Sequence, residues 1–331
     1  MTLQSVKRLR SLALVAAVLL VAAATAGAGA LDDPGRLPGA RAIKVCAAAG
    51  PYWPTMTLAL RGSSAWVACK EQSRVIRVDT ATGKTVASLR LGGQVIAVAS
   101  GFGSIWALDS SSTLYRINAV SAKVVKRLYL SARAAYNIWI GGGSVWVADD
   151  QGARVVRVSP WRNRVVARPA VGDGPADMAF DTGSAWVINH RDRVLTRIDL
   201  ATNRSRRVAV IPGDAPERMV SFRGSLWITG RGTDLLKVDP ADGSVVSTIE
   251  IGASGIDVAA AGDDLWVPTR SAAVDATGFP TMEALKRVAV ASGAVSVVAE
   301  PSARVDVHGL VAAGGAVWLA DNTNGSLYRV A

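Results

Sequence analysis

Gly143-Ser144-Val145-Trp146-Val147-Ala148-Asp149 is one of seven similar stretches in this chain of 331 residues. Each is a short apolar run led by Gly or Ser and centred on a tryptophan: Trp66, Trp106, Trp146, Trp186, Trp227, Trp266 and Trp318. The tryptophans are spaced by 40, 40, 40, 41, 39 and 52 residues. A period near 40 with strand-like units predicts an all-β, seven-bladed β-propeller. One small sheet cannot bury both its faces, whereas a closed ring of sheets can.

The second unit shows how one blade is written. Residues 95–99, 104–108, 114–117 and 124–130 are short apolar or alternating runs separated by Gly, Ser, Asn and Asp turns. That is the pattern of an antiparallel four-stranded meander, innermost strand first. The turn before the outermost strand recurs as Asp79-Thr80-Ala81-Thr82-Gly83 and Asp239-Pro240-Ala241-Asp242-Gly243, residue types that favour tight turns.

The seventh unit stops after three strands, 309–313, 316–320 and 327–330, while an orphan strand, 42–47, precedes the first unit. If the orphan docks as the missing outermost strand, the ring is sealed by the N-terminal strand and loses an open edge. Cys46 then falls near the end of the closing strand and Cys69 just past the Trp strand of the first blade. Either a disulfide staples the closure or the two are buried thiols acting as small apolar residues.

Lys7, Arg8 and Arg10 precede an apolar run, 12–26, and Ala28-Gly29-Ala30 fits a cleavage site. Residues 1–30 therefore read as a secretory signal peptide, with an uncleaved anchor as the rival reading. A short tail, 31–40, and one closed propeller, 41–331, make up the mature chain. It is expected to be secreted or held in the cell envelope, monomeric, and without stable membrane insertion once the signal is removed.

The formal net charge of +11 favours anionic partners. Seven of the positive charges, however, recur at one position of the third strands: Arg77, Arg116, Arg157, Arg197, Lys237, Arg287 and Arg329. A residue placed identically in every unit reads first as structural, stacked on a tryptophan between blades or paired with a turn carboxylate. Nucleic acid is a possible partner on this composition, but not the favoured one.

The stretch around Trp146, with Arg157-Val158-Ser159-Pro160 and Val171-Gly172-Asp173-Gly174-Pro175, resembles the YVTN/NHL-type β-propeller repeats of exported bacterial proteins. These belong to a virginiamycin B lyase-like superfamily, and the resemblance spans about residues 41–331. It implies a seven-bladed ring that takes its ligands at the axial mouth. The lyase branch further implies magnesium and a His/Glu-based site. Here only His190 and His308 occur, and Glu217 and Glu300 form no matching set, so no catalytic residue is carried over. Quinone-binding propellers share the turn tags but follow them with a tryptophan, which this chain places in the second strand instead.

The innermost strands of a propeller line its channel. Nine residues before each repeat tryptophan stand Thr57, Ala97, Asn137, Asp177, Arg218, Asp257 and Gly309. Two residues further on stand Ala59, Ala99, Trp139, Ala179, Val220, Ala259 and Val311, on the same side of the strand by period-two alternation. The first set is polar through four consecutive blades. Asn137, Asp177, Arg218 and Asp257, with Tyr136, His190 and His308 from the same face, are the ligand-binding candidates. Alternatively, Asp177, Arg218 and Asp257 form an ion-pair chain that rigidifies neighbouring blades.

His190 with Asp192, and His308 with Asp306, have the spacing of a base with an orienting carboxylate, or of ordinary loop histidines. No phosphate loop, dinucleotide fingerprint, metalloprotease helix or EF-hand loop occurs. The longest tryptophan gap adds about 12 residues, placed over 271–282 as a long loop of the sixth blade on the mouth face.

These readings point to an exported propeller that binds a protein, peptide or cell-envelope polymer at its mouth without transforming it, with no cofactor or metal. One alternative is a virginiamycin B lyase-like lyase or hydrolase that depends on magnesium, which chelator sensitivity would mark. The other is a binder of DNA or another anionic polymer, marked by affinity that falls steeply with salt.

Overall fold

The computed structural model describes residues 30–31, 36–47, 56–213, 215–274, 280–313 and 315–330, with backbone alone for 30–31, 271–274, 280 and 308. These residues form seven antiparallel sheets set as the blades of a propeller. The first blade runs outward through Met56–Arg61, Ser64–Cys69, Arg74–Asp79 and Thr85–Arg90. The repeat tryptophans sit in the second strands and fill the spaces between blades. Trp66, Trp106, Trp146 and Trp186 are fully buried. Trp106, for example, packs with Ile138, Val145 and Val147 of the next blade. A buried indole removes some of the largest apolar areas of any side chain from water, which is why its recurrence fixes the ring.

The recurring basic residues lock the same boundaries. Arg77, Arg116, Arg157 and Arg197 lie over Trp66, Trp106, Trp146 and Trp186 at 5.5, 5.4, 5.0 and 5.5 Å from the ring centroids. Each also donates from Nε to a serine hydroxyl of its own second strand: Ser64, Ser104, Ser144 or Ser184. The Nη1 groups of Arg77, Arg116 and Arg157 reach onward to the carbonyls of Val120, Pro160 and Leu200 in the outer turn of the next blade. Lys237 keeps the stack, 5.6 Å over Trp227. Arg287 pairs instead with Asp264, Nε to Oδ2 at 2.6 Å. In these six blades the ladder is structural, as its recurrence suggested.

Closure is made by the N-terminal strand Arg41–Lys44, which pairs antiparallel with Ser326–Val330 in the register Ile43↔Leu327. Val45 and Cys46 both donate their N–H groups to the Gly325 carbonyl at 2.9 Å. A disulfide joins Cys46 to Cys69, with Cα atoms 5.6 Å apart, so the staple links the closing strand to the first blade.

Within the segment read as a short tail, the described residues 36–40 pack onto the ring. Leu37 is fully buried and packs in one cluster with Met282, Leu285 and Val305. Ala30–Leu31 adds two residues of strand outside Arg41–Lys44. The remainder of the signal peptide expected over 1–30 lies outside the described residues.

The expected long loop at 271–282 is corrected. Asp264–Val274 and Pro280–Ala289 are strands of 11 and 10 residues, paired as far as Val274↔Pro280. The extra residues lengthen a hairpin, because continuing the ladder satisfies backbone groups that an irregular excursion would leave to water.

Candidate functional site

The innermost strands enclose an axial cavity of about 420 Å³. Its lining is two-sided. Blades three to six contribute Tyr136, Asn137, Trp139, Asp177, Arg218 and Asp257, while blades seven, one and two contribute mainly Leu58, Leu60, Ile96, Val98, Leu310 and Val311. Thr57 and Gly309 also line it, so the ring of positions nine residues before each tryptophan does converge at the axis.

At this level the innermost strands are irregular. Register shifts fall between Val95 and Ala97, Ala135 and Ile138, Pro175 and Asp177, Pro216 and Arg218, and Val307 and Leu310. In the sixth blade the strand is split into Ser254–Gly255 and Ala259–Ala261 on either side of Asp257. A bulge disrupts the ladder locally and frees backbone groups. The preceding blade's polar side chain then accepts an N–H of the next blade. Thr57 Oγ1 takes Val98 N–H at 3.1 Å, Asp177 Oδ2 takes Met219 N–H at 2.7 Å, and Asp257 Oδ2 takes Leu310 N–H at 3.2 Å. Asp177 Oδ1 accepts from its neighbour Met178 N–H at 2.8 Å and from Trp139 Nε1 at 2.6 Å, which ties the third blade to the fourth. Asn137 Oδ1 accepts only from the adjacent Ile138 N–H at 2.9 Å among the described residues.

The expected ion-pair chain is corrected by these bonds. Arg218 has no carboxylate within 4.0 Å among the described residues, and its one hydrogen bond among them runs from Nη1 to the Glu217 carbonyl at 2.9 Å. The carboxylates face it across the cavity and act through their field. Burial opposes the Arg218 charge, but Asp257 and then Asp177 outweigh it and hold the guanidinium firmly protonated. Burial pushes the Asp257 carboxyl up to about 6, against the pull of Arg218 and with added repulsion from Asp177. Burial also raises Asp177, although Arg218 and its N–H donors resist. Burial carries the Tyr136 phenol up to about 12; its hydroxyl donates to the Ala176 carbonyl at 3.0 Å.

Around the rim, Glu217 bridges two arginines of successive blades, Oε1 to Arg231 Nε at 3.0 Å and Oε2 to Arg270 Nη2 at 2.9 Å. Burial would raise Glu217, but Arg270 and Arg231 hold it below the usual carboxylate range. Neither this fork nor the Trp139–Asp177 bond was foreseen. Trp139 stands out in the sequence as a tryptophan off the repeat schedule, the one signal available for it.

Of the two readings of His190, the ordinary loop histidine is the one its contacts fit. His190 Nδ1 lies 2.9 Å from the Gly174 carbonyl, while Asp192 accepts backbone N–H groups of Asp173 and Val194. The carboxylate is thus committed to the loop and not to the imidazole. His308 lies in the strand Val307–Ala313, and its side chain falls outside the described residues.

The donor set does not fit magnesium. That ion is held by carboxylate oxygens in near-octahedral array. Here both oxygens of Asp177 and of Asp257 accept N–H bonds, and the Arg218 cation lies in the same cavity. No group of three or more His, Cys, Asp or Glu residues among those described could hold a metal ion.

Fold and mouth together define a seven-bladed β-propeller with a half-polar, half-apolar axial pocket. No protein-family model and no curated protein matches the chain in sequence. Among solved structures, virginiamycin B lyase from Staphylococcus aureus is similar at a TM-score of 0.67 and 17% identity, over 83% of this chain and 94% of that one. A catalytically inactive virginiamycin B lyase from the same organism, solved with quinupristin, is similar at 0.70 and 15% identity, over 88% and 99%. A streptogramin B lyase is similar at 0.68 and 15% identity, over 92% and 97%. At these identities the likeness is one of fold.

Proposed function

We propose that this protein is an exported propeller that binds a protein, peptide or cell-envelope ligand at its axial mouth without transforming it. The observation that carries the reading is Arg218. It is a cation in a partly desolvated pocket whose nearest carboxylates are already spent on backbone N–H groups. Arg218 is half-buried, and a guanidinium taken partly out of water is costly unless its donors are met, of which one is engaged among the described residues. A ligand carboxylate or carbonyl would supply the missing acceptor, with the apolar half of the mouth receiving the rest. The lyase crystallised with quinupristin supports the ring as a platform for a small ligand. A lyase activity in this chain has no support from His190 or from the Asp177 and Asp257 carboxylates, whose oxygens accept backbone N–H groups.

A thermal-shift panel tests the reading, run with cyclic depsipeptides, peptides, envelope glycans, polyanions and divalent ions at low and moderate salt. A ligand that prefers the native ring raises Tm as RT ln(1 + [L]/Kd). The expected hit persists at moderate salt and is recovered chemically intact. Cleavage of a depsipeptide that stops on adding chelator would instead establish the lyase.

A further inference from the structure

The outer edges of the blades carry charge unevenly. The outermost strand of the second blade, Val124–Tyr129, lies within 119–131, which holds Lys123, Lys126 and Arg127 and no Asp or Glu. The matching segments of the third and fourth blades, 160–171 and 200–212, surround the strands Arg164–Ala167 and Ser205–Val210. Each likewise holds three basic residues and no acid. On the fifth and sixth blades the sign reverses: 240–252 and 290–300 contain Asp242, Glu250 and Glu300 but no Lys or Arg.

None of these cations belongs to the structural ladder. Lys123, Arg164 and Arg204 each follow the positive-φ residue of an outer turn, Ala122, Asn163 or Asn203, so they stand at one level on three successive blades, all exposed. The nearest acids do little to neutralise them. Asp192 lies 3.8 Å from Arg207, and Asp199 Oδ1 is occupied by the Ala201 and Thr202 N–H groups and the Thr202 hydroxyl. Protection of sheet edges does not explain the pattern, because it needs only scattered charge, and blades five and six manage with acids. Like charges gathered on one arc repel each other and call for a counter-charge.

We infer that the outer edge of blades two to four is a docking surface for a flexible phosphodiester-linked polymer of the cell envelope, built of phosphate and polyol. Arg168 is engaged, its Nη2 donating to the Leu130 carbonyl at 2.5 Å, which leaves eight cations, six of them arginines, whose forked donors match phosphate oxygens. Curvature argues against a flat bilayer. Adjacent blades of a seven-fold ring turn by about 51°, so a plane meets one edge at a time while a flexible chain follows the arc. Stacking argues against single-stranded nucleic acid, which is gripped by successive aromatic rings. The arc exposes two rings, Tyr129 on the second blade and Trp161 on the third, the latter edge-on to Phe102 at 5.7 Å, and neither blade offers the succession of rings that stacking needs. The surface is separate from the axial mouth, and of the function proposed above it rests on export alone, which brings the chain to the envelope.

The test is fluorescence anisotropy with a labelled poly(glycerol phosphate) chain, titrated with the protein over a series of salt concentrations. Affinity should fall with salt at a log–log slope of about −0.7 per phosphate engaged. The variant K126E/R164E/R206E should bind more than tenfold more weakly with an unchanged Tm. A control carrying the same charge change elsewhere, K44E/R61E/K70E, should keep most of the affinity. Should the triple reversal fail to fold, the milder K126Q/R164Q/R206Q set should still weaken binding severalfold. Equal losses in patch and control variants, undiminished binding by the patch variants, or tighter binding of duplex DNA or anionic vesicles would overturn the proposal.

Discussion

Asp177 in the fourth blade accepts the Met219 N–H of the fifth at 2.7 Å while its other oxygen holds Trp139 Nε1 of the third. One carboxylate thus fastens three blades at the axis. Asp177→Ala leaves three N–H donors without an acceptor, and a buried donor so orphaned costs about 1–3 kcal/mol. Urea unfolding should show a loss of about 3 kcal/mol or more for Asp177→Ala and a smaller one for Asp177→Asn, which keeps one acceptor.

Asp257 gives the ring an acid-side signature. Burial pushes its carboxyl up to about 6 in the fold, from an ordinary value of 3.8. Between these values the folded protein holds a proton that the unfolded chain has released, so stability contributed here falls as pH rises from about 4 to about 6 and then levels. The full effect is up to about 3 kcal/mol. Asp257→Asn should make this slope shallower, leaving the share that Asp177 contributes, while adding a constant offset from the weakened Leu310 N–H bond. Unfolding curves of both proteins from pH 4 to 7 check it; parallel pH profiles would contradict it.

The ladder arginines should be unequal. Arg157 donates to the Ser144 hydroxyl, to the Gly142 and Leu200 carbonyls and to the Asn203 side chain, and stacks on Trp146. Arg77 makes two such bonds and its stack. Arg157→Ala should cost about 2–4 kcal/mol and clearly more than Arg77→Ala. Arg157→Lys should rescue little, because an ammonium cannot span those acceptors at once. Thermal and denaturant melts of the three variants make the comparison.

Closure is the third place to probe. Reducing Cys46–Cys69 opens a covalent loop with a sequence separation of 23, a loss of about 3 kcal/mol on chain-entropy grounds. Gly325→Ala attacks the same seam without chemistry. Gly325 has φ +70 and an added Cβ would meet the Cys46 carbonyl oxygen. Both changes should increase hydrogen exchange first in 41–46 and 326–330, ahead of the other blades.

What could be read without coordinates was what the repeat dictates. Trp146 and Arg157 are legible because every blade boundary poses one packing problem and solves it alike. The closing strand was legible because the seventh unit ends one strand short. Cys46 and Cys69 could be brought near each other, but not joined, by sequence alone. The 271–282 insertion was misread because a long loop and a lengthened hairpin have the same length, and Ser271-Ala272-Ala273-Val274 carries no alternation to tell them apart. The two readings of His190 with Asp192, a dyad or an ordinary loop histidine, stayed open in the sequence because adjacency does not show that backbone N–H groups already hold the carboxylate. Likewise Asp177, Arg218 and Asp257 converge as the spacing predicted, but the bulges that divert the carboxylates to neighbouring N–H groups leave no mark in composition.

The central claim is that Arg218 receives a ligand at the axial mouth. It is tested most directly by isothermal titration of the ligand found by thermal shift against the protein and Arg218→Met, with the fold of both verified by tryptophan fluorescence. The expected result is a folded variant whose affinity falls at least tenfold while the ligand remains intact. Undiminished affinity in the folded Arg218→Met protein would place the ligand elsewhere and contradict the claim.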